Sequence, residues 1–133
     1  MKERLQKIKL LLLDVDGVMT DGRIVFDSNG VESKFFNVKD GHGIKMIQRA
    51  GIEVGIISGR QSQVAFMGDD IIDIPVLRRV GFAAAPADAV EEVLPHVHFV
   101  TKKGGGCGAV REVCDLLLKG QGIWETATAR YSL

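Results

Sequence analysis

The stretch Asp14-Val15-Asp16-Gly17-Val18-Met19-Thr20 places two carboxylates one residue apart, directly after an apolar run from Ile8 to Leu13 that only Lys9 interrupts. Ionised groups beside a low-dielectric core need a partner, and a metal ion is one. A strand alternates faces, but where it ends the chain can turn both acids toward one crevice, and Gly17 permits that turn. Open α/β sheets bind ligands at this edge. Taken alone, the pair reads as the solvated acidic end of a strand. A second acidic cluster changes that reading. Val64-Ala65-Phe66-Met67 is another short apolar run, and Gly68-Asp69-Asp70-Ile71-Ile72-Asp73 follows it. If the two strands are neighbours, their carboxylates converge. Hard oxygen ligands suit Mg²⁺, which keeps several waters and binds phosphate oxygens. A third apolar run, Ile52 to Ile57, ends in Ser58-Gly59-Arg60. Alone this is an ordinary turn, but a hydroxyl, a flexible backbone and a guanidinium suit a phosphoryl group. Together the three strand ends describe a metal-assisted phosphoryl-transfer site.

The elements that must position these residues alternate between strand and helix, which implies a parallel sheet. Strands are expected at Leu10 to Val15, Ile52 to Ile57, Val64 to Met67, Phe82 to Ala85 and Val97 to Thr101. A hairpin is expected from Arg23 to Phe26 and Glu32 to Asn37, turning at Asp27-Ser28-Asn29-Gly30, where Asn-Gly is a strong turn signal. Asp40 to Ala50 reads as a helix with an Ile44, Met46, Ile47 stripe, stopped by Gly51. Ile74 to Val80, with Pro75 in its first turn, and Ala89 to Leu94 read as short helices. Gly108 to Leu118 reads as a longer one, with Val110, Val113, Leu117 and Leu118 on related faces. The tail after Gly120 reads as loose.

Composition sets the limits. At 133 residues, with 46% apolar and 26% charged residues, the chain is one domain with an ordinary globular balance. A formal net charge of zero gives no sign of a nucleic-acid or anionic-membrane partner. The longest apolar run is too short to span a bilayer, and Met1-Lys2-Glu3-Arg4 is not followed by a signal-peptide core, so a cytoplasmic protein is expected. Cys107 and Cys114 read as free thiols, and no His or Cys partner stands at zinc spacing.

These motifs resemble the haloacid dehalogenase superfamily: Asp14 to Thr20, Ser58-Gly59-Arg60 and Gly68 to Asp73 match its first, second and fourth motifs. Asp21-Gly22-Arg23-Ile24, Phe36 to Ile44 and Gly108 to Cys114 look like the capless branch of 3-deoxy-D-manno-octulosonate 8-phosphate phosphatases, a branch that also includes domains attached to nucleotide-sugar synthetases. The resemblance implies an α/β, Rossmann-like sheet flanked by helices, with a β-hairpin flap at 22–37. It implies a Mg²⁺-dependent phosphatase acting on a sugar-acid phosphate through an aspartyl-phosphate. Asp14 would be the nucleophile and Asp16 the acid and base. Asp14, the backbone carbonyl of Asp16, and Asp69 would hold Mg²⁺, with Asp70 or Asp73 orienting them. Ser58 and Gly59 would hold the phosphoryl oxygens. Arg60, Lys39 and Lys45, the last two equally readable as solvated helix-flank charge, would meet the sugar acid, and Asn37, Asp40 and Gly41 would line its pocket. Relatives assemble a tetramer through this hairpin, each active site completed by a neighbour. The hairpin's apolar residues Ile24, Phe26, Val31 and Phe35 are too many for a ribbon in water. The loop Gly104-Gly105-Gly106 and the tail, with Trp124 and Tyr131, would reach toward that neighbour.

One break runs against the resemblance. Between the SGR turn and the strand before GDDxxD, the family has a helix, an edge strand and another helix. Here only Gln61-Ser62-Gln63 intervenes. A parallel crossover takes a dozen or more residues, and a link of about five stretches at most roughly 17 Å. Either an internal segment is absent from this sequence, or the sheet is rearranged. The third-motif lysine falls in that stretch, and Lys102 and Lys103 read as surface lysines instead. Cys107 stands where the family usually carries arginine. An inactive, structural relative is therefore the alternative to a phosphatase. A phospho-acceptor receiver fits the DxDG and GDDxxD runs less well.

Overall fold

The computed structural model describes residues 1–55 and 61–132. Its centre is a parallel sheet in the order β4-β1-β5-β6-β7, made of Glu53–Val54, Leu10–Leu13, Val64–Met67, Phe82–Ala85 and Phe99–Val100. The two acidic runs leave from neighbouring strands, because β1 and β5 pair in register from Leu10↔Val64 to Leu13↔Met67. The strand alternation sorts the side chains by face. Leu11, Ala65, Met67, Phe82 and Ala84 enter one core with the helices α2 (Val38–Arg49) and α4 (Ala109–Gly120). Ala83 and Ala85 enter a smaller one with Leu77 of α3 (Ile74–Leu77) and Val93. The short α1 (Lys2–Gln6) adds Leu5 to the first core, where Leu5 leaves no room for a side chain on Gly120. The hairpin is a separate two-stranded ribbon, β2 (Val25–Phe26) with β3 (Glu32–Ser33).

The described strands keep the expected order rather than a rearranged one. Val54 pairs with Leu11 on one side of β1, and Val64 pairs with Leu10 on the other. Those positions lie nearly level, so the link between them has to cross two strand spacings, roughly 10 Å. Residues 55–63 are enough for that, at roughly 3.3 Å each. The end of the strand expected at Ile52 to Ile57 involves residues 56–60, which lie outside the described residues. No helix–strand–helix segment separates β4 from β5 among the described residues. There, the one element between them is the 3₁₀ turn Gln61–Gln63.

Several boundaries differ from the sequence expectation. The helix expected at Ala89 to Leu94 is a 3₁₀ segment, Glu91–His96, with Pro95 inside, which removes an N–H that a longer α-helix would need. The residues after Gly120, read as a loose tail, instead form α5 (Trp124–Thr128) and a 3₁₀ turn, Ala129–Tyr131. Ile123, Trp124 and Ala127 pack on the first core, and Lys119 Nζ lies 4.6 Å over the Trp124 ring. Tyr131 Oη accepts from Arg49 Nη1 at 3.0 Å and meets His42 Nε2 at 3.1 Å, so in this chain the tail lies along its own α2.

Candidate active site

The loop after β1 is bent by two features. Asp14 and Asp16 stay extended, at φ −70°, ψ 151° and φ −75°, ψ 123°, and Gly17 then turns to φ 83°. Thr20 closes the loop. It is buried, and its Oγ1 accepts from Gly17 N and Gly22 N at 3.3 and 3.2 Å. Gly105 and Gly106 pack against the backbone of Gly17 and of Thr20 so closely that a side chain on either would overlap it. The glycine loop is thus the floor of this chain's own site.

This fold brings Asp14, Asp69 and Asp73 together, with one oxygen from each within 4.8 Å of the others. Asp14 continues the β1–β5 ladder, donating from its N to Met67 O at 3.1 Å. Asp73 is 8% exposed, and its Oδ2 accepts from Asp69 N at 2.9 Å and Asp70 N at 3.2 Å. A Cβ on Gly68 would stand 2.6 Å from Asp73 Cβ, so only glycine admits this approach. Asp73 therefore belongs to the cluster itself, where the resemblance leaves Asp70 and Asp73 open. Asp70 is exposed and caps the following turn, its Oδ1 accepting from Ile71 N at 2.7 Å.

Three carboxylates this close repel unless they hold protons or a cation. Burial first, then the hydrogen bond and charge of Asp14, push Asp69 up to about 7. Burial also raises Asp14, against the hydrogen bond it makes with Asp69. A set of three hard oxygen donors held by backbone contacts fits a divalent cation such as Mg²⁺. Asp16 points elsewhere. Its side chain is 69% exposed and its Oδ1 takes Lys34 Nζ at 2.6 Å. Lys34 has no distinguishing mark in the sequence, being one lysine in an alternating strand.

Residues expected around the substrate divide into two groups. Asn37 is the N-cap of α2, its Oδ1 accepting from Lys39 N and Asp40 N at 2.9 and 3.3 Å. Asp40, expected to line the pocket, is 2% exposed and turned into the protein, where its Oδ1 accepts from Arg111 N in the first turn of α4 at 2.8 Å. It binds a helix N-terminus, where first-turn N–H groups lack intrahelical partners and the helix dipole favours an anion. Lys39, Gly41 and Lys45 are exposed on α2. Ser58, Gly59 and Arg60 lie outside the described residues. Glu112 accepts from the backbone of Lys102 and Lys103 at 3.0 and 2.8 Å, which fixes the loop after β7. Both cysteines are free, and burial pushes Cys114 up to about 12, leaving it inert.

No family model matches the chain. It is 40% identical to the 3-deoxy-D-manno-octulosonate 8-phosphate phosphatase of Yersinia pestis, over 95% of this chain and 88% of that protein. That match runs over 164 residues against 133 here, so the relative carries residues inside the matched span that this chain lacks. The Moraxella catarrhalis enzyme of the same name, solved with magnesium, phosphate and KDO, superposes with a TM-score of 0.93 at 30% identity, over 98% of this chain and 97% of that one. The cobalt-bound Haemophilus influenzae phosphatase gives 0.85 at 34% identity, over 92% and 94%. With its sheet order, its converging acids and these relatives, the chain belongs to the haloacid dehalogenase superfamily, in the family of 3-deoxy-D-manno-octulosonate 8-phosphate phosphatases.

Proposed function

We propose that this chain hydrolyses the phosphate monoester of an eight-carbon sugar acid, 3-deoxy-D-manno-octulosonate 8-phosphate, a step toward lipopolysaccharide precursors. The observation that carries the reading is the meeting of Asp14, Asp69 and Asp73 at the ends of adjacent strands. A relative's binding of magnesium, phosphate and KDO supports it. Asp14 and Asp69, with Asp73 beside them and the Asp16 carbonyl, would hold Mg²⁺. When bound, the ion offsets negative charge so that a carboxylate can approach an anionic ester.

The chain's own residues do the rest. An Asp14 oxygen attacks phosphorus, the bond to the sugar oxygen breaks, and an aspartyl-phosphate forms. Asp16 gives its proton to the departing oxygen. Asp16 then takes a proton from water as that water attacks phosphorus, releasing phosphate and restoring Asp14. Lys39 and Lys45 on α2 face solvent and are proposed to meet the sugar carboxylate, and Gly41 lets the sugar approach the helix. Ser58, Gly59 and Arg60 are proposed as phosphoryl and sugar-acid contacts. The hairpin, with Ile24, Phe26, Val31 and Phe35 all more than half exposed, is proposed to assemble a tetramer.

The test is phosphate release with Mg²⁺. Asp14→Asn should abolish it while the circular dichroism stays that of the wild type. Undiminished release in that variant removes Asp14 as nucleophile. One observation favours a second reading, a non-hydrolytic assembly subunit: the relative's matched span is longer than this chain, and the third-motif lysine is expected in the stretch that is short here. A wild-type protein that binds Mg²⁺ but releases no phosphate would select it.

A further inference from the structure

Lys34, just beyond β3, reaches from the hairpin into the loop after β1. Its Nζ lies 2.6 Å from Asp16 Oδ1 and 3.2 Å from Glu32 Oε1. The side chains of Lys34 and Asp16 are 35% and 69% exposed, and an ion pair so open to water adds little to stability. It does restrict one carboxylate. Oδ1 is held by the ammonium, and Oδ2 is the oxygen free of that contact. Among the described residues no other Lys or Arg forms an ion pair with Asp14, Asp16, Asp69 or Asp73. The contact also spans two elements that share no ladder, since the hairpin is a sheet of its own.

We propose that Lys34 is a positioning residue for the hydrolysis, holding the Asp16 carboxylate by Oδ1 so that Oδ2 exchanges the proton with the leaving oxygen. This rests on the reading of Asp16 as the acid. In the first half-reaction the proton passes from Asp16 to the sugar oxygen as the phosphorus–oxygen bond breaks. The negative charge left on Asp16 then lies beside the ammonium. In the second half-reaction that carboxylate takes the proton from water. Lys34 contacts the acid rather than Asp14, so its part differs from neutralising the nucleophile. It makes proton transfer depend on where the hairpin sits.

The leaving group separates this role from a structural one. An alkyl phosphate such as the sugar-acid phosphate needs its oxygen protonated as it departs, whereas p-nitrophenolate leaves without help. The value kcat/KM reports only steps through the first phosphoryl transfer, so Asp16 enters it only as acid. With the full chain and Mg²⁺, Lys34→Met should lower kcat/KM for the sugar-acid phosphate about tenfold or more, and change that for p-nitrophenyl phosphate little. Lys34→Arg should restore most of the loss. Asp16→Asn is the reference and should show the same selectivity more strongly. Equal loss on both substrates in Lys34→Met, or none, overturns the proposal while Asp16 keeps its role. A wild type that releases no phosphate, or an Asp16→Asn variant without selectivity, overturns the Asp16 reading and this proposal with it.

Discussion

Gly17 and Asp69 meet with no space for a side chain between them, since a Cβ on Gly17 would overlap Asp69 Oδ2. The two residues come from different strand ends, so the contact joins the two acidic motifs. Gly17 has φ 83°, where an L-residue adds roughly 1 kcal/mol of strain. Gly17→Ala should therefore push Asp69 away from Asp14. The expected outcome is a Mg²⁺ affinity at least about tenfold weaker by calorimetry, with the far-ultraviolet circular dichroism unchanged. Wild-type affinity in this variant would show that the Gly17–Asp69 contact does not set the carboxylate geometry.

The raised Asp69 gives a pH dependence with a definite sign. In the unfolded chain an aspartate gives up its proton around 3.8, while in the folded, metal-free protein Asp69 keeps it to about 7. The stability it contributes is full below the unfolded value and is lost as pH rises through 7. Thermal melts in EDTA should show this group's contribution falling between about pH 4 and pH 7. Mg²⁺ binds only the deprotonated cluster, so its stabilisation should be larger at the upper end. A Mg²⁺-induced shift in Tm that is independent of pH over this window would remove Asp69 from the cation site.

Asp40 should behave as a structural group. Its Oδ1 accepts the Arg111 N–H, and its Oδ2 has no partner in the described structure. Asp40→Ala strands a buried N–H and removes the anion at the start of α4, at a cost of about 1–3 kcal/mol in urea unfolding. Asp40→Asn keeps an acceptor oxygen and should cost less than half of that. Both variants should keep the wild-type KM well below their melting temperatures. A KM raised severalfold in Asp40→Asn, with stability intact, would return Asp40 to the substrate pocket.

Much of this site was legible because its residues sit where strands end. The apolar runs before Asp14 and Gly68 marked β1 and β5, and parallel pairing did the rest. The motif around Asp40 is shared by the pocket wall and the helix contact, so spacing does not separate them, and the structure sets Asp40 in the approach of α2 to α4. That approach depends on Gly43, where a Cβ would lie 2.9 Å from Arg111 Cδ and 3.1 Å from Cys114 Cβ. The tail was misread because α5 is five residues long, too short for periodicity to stand out, although Ile123 and Ala127 share a face. The Lys34–Asp16 contact is not legible in the sequence, because a long side chain's reach is set by the fold and leaves no mark on local spacing.

The hairpin carries the last prediction. Ile24, Phe26, Val31, Phe35 and Phe36 are between 58% and 76% exposed, on a ribbon with only two residues per strand in its ladder. A two-stranded ribbon of that length is marginal in water, so it needs a surface to lie on. Among the described residues the ion pair that ties it to a residue distant in sequence is Lys34 to Asp16, a polar contact that leaves the apolar side chains exposed. A second copy is the partner proposed to cover them. Light scattering should then give a mass above the 14.5 kDa of one chain, a tetramer on the proposed reading. Phe26→Glu combined with Phe35→Glu should reduce it to one chain, because each places a charge in what would be a buried apolar contact. The sheet core shares no residues with the hairpin, so the variant should melt as a folded monomer. A wild type that runs as a monomer at tens of micromolar would leave the ribbon without the partner assigned to it, and would make Lys34 the contact that holds it near the site.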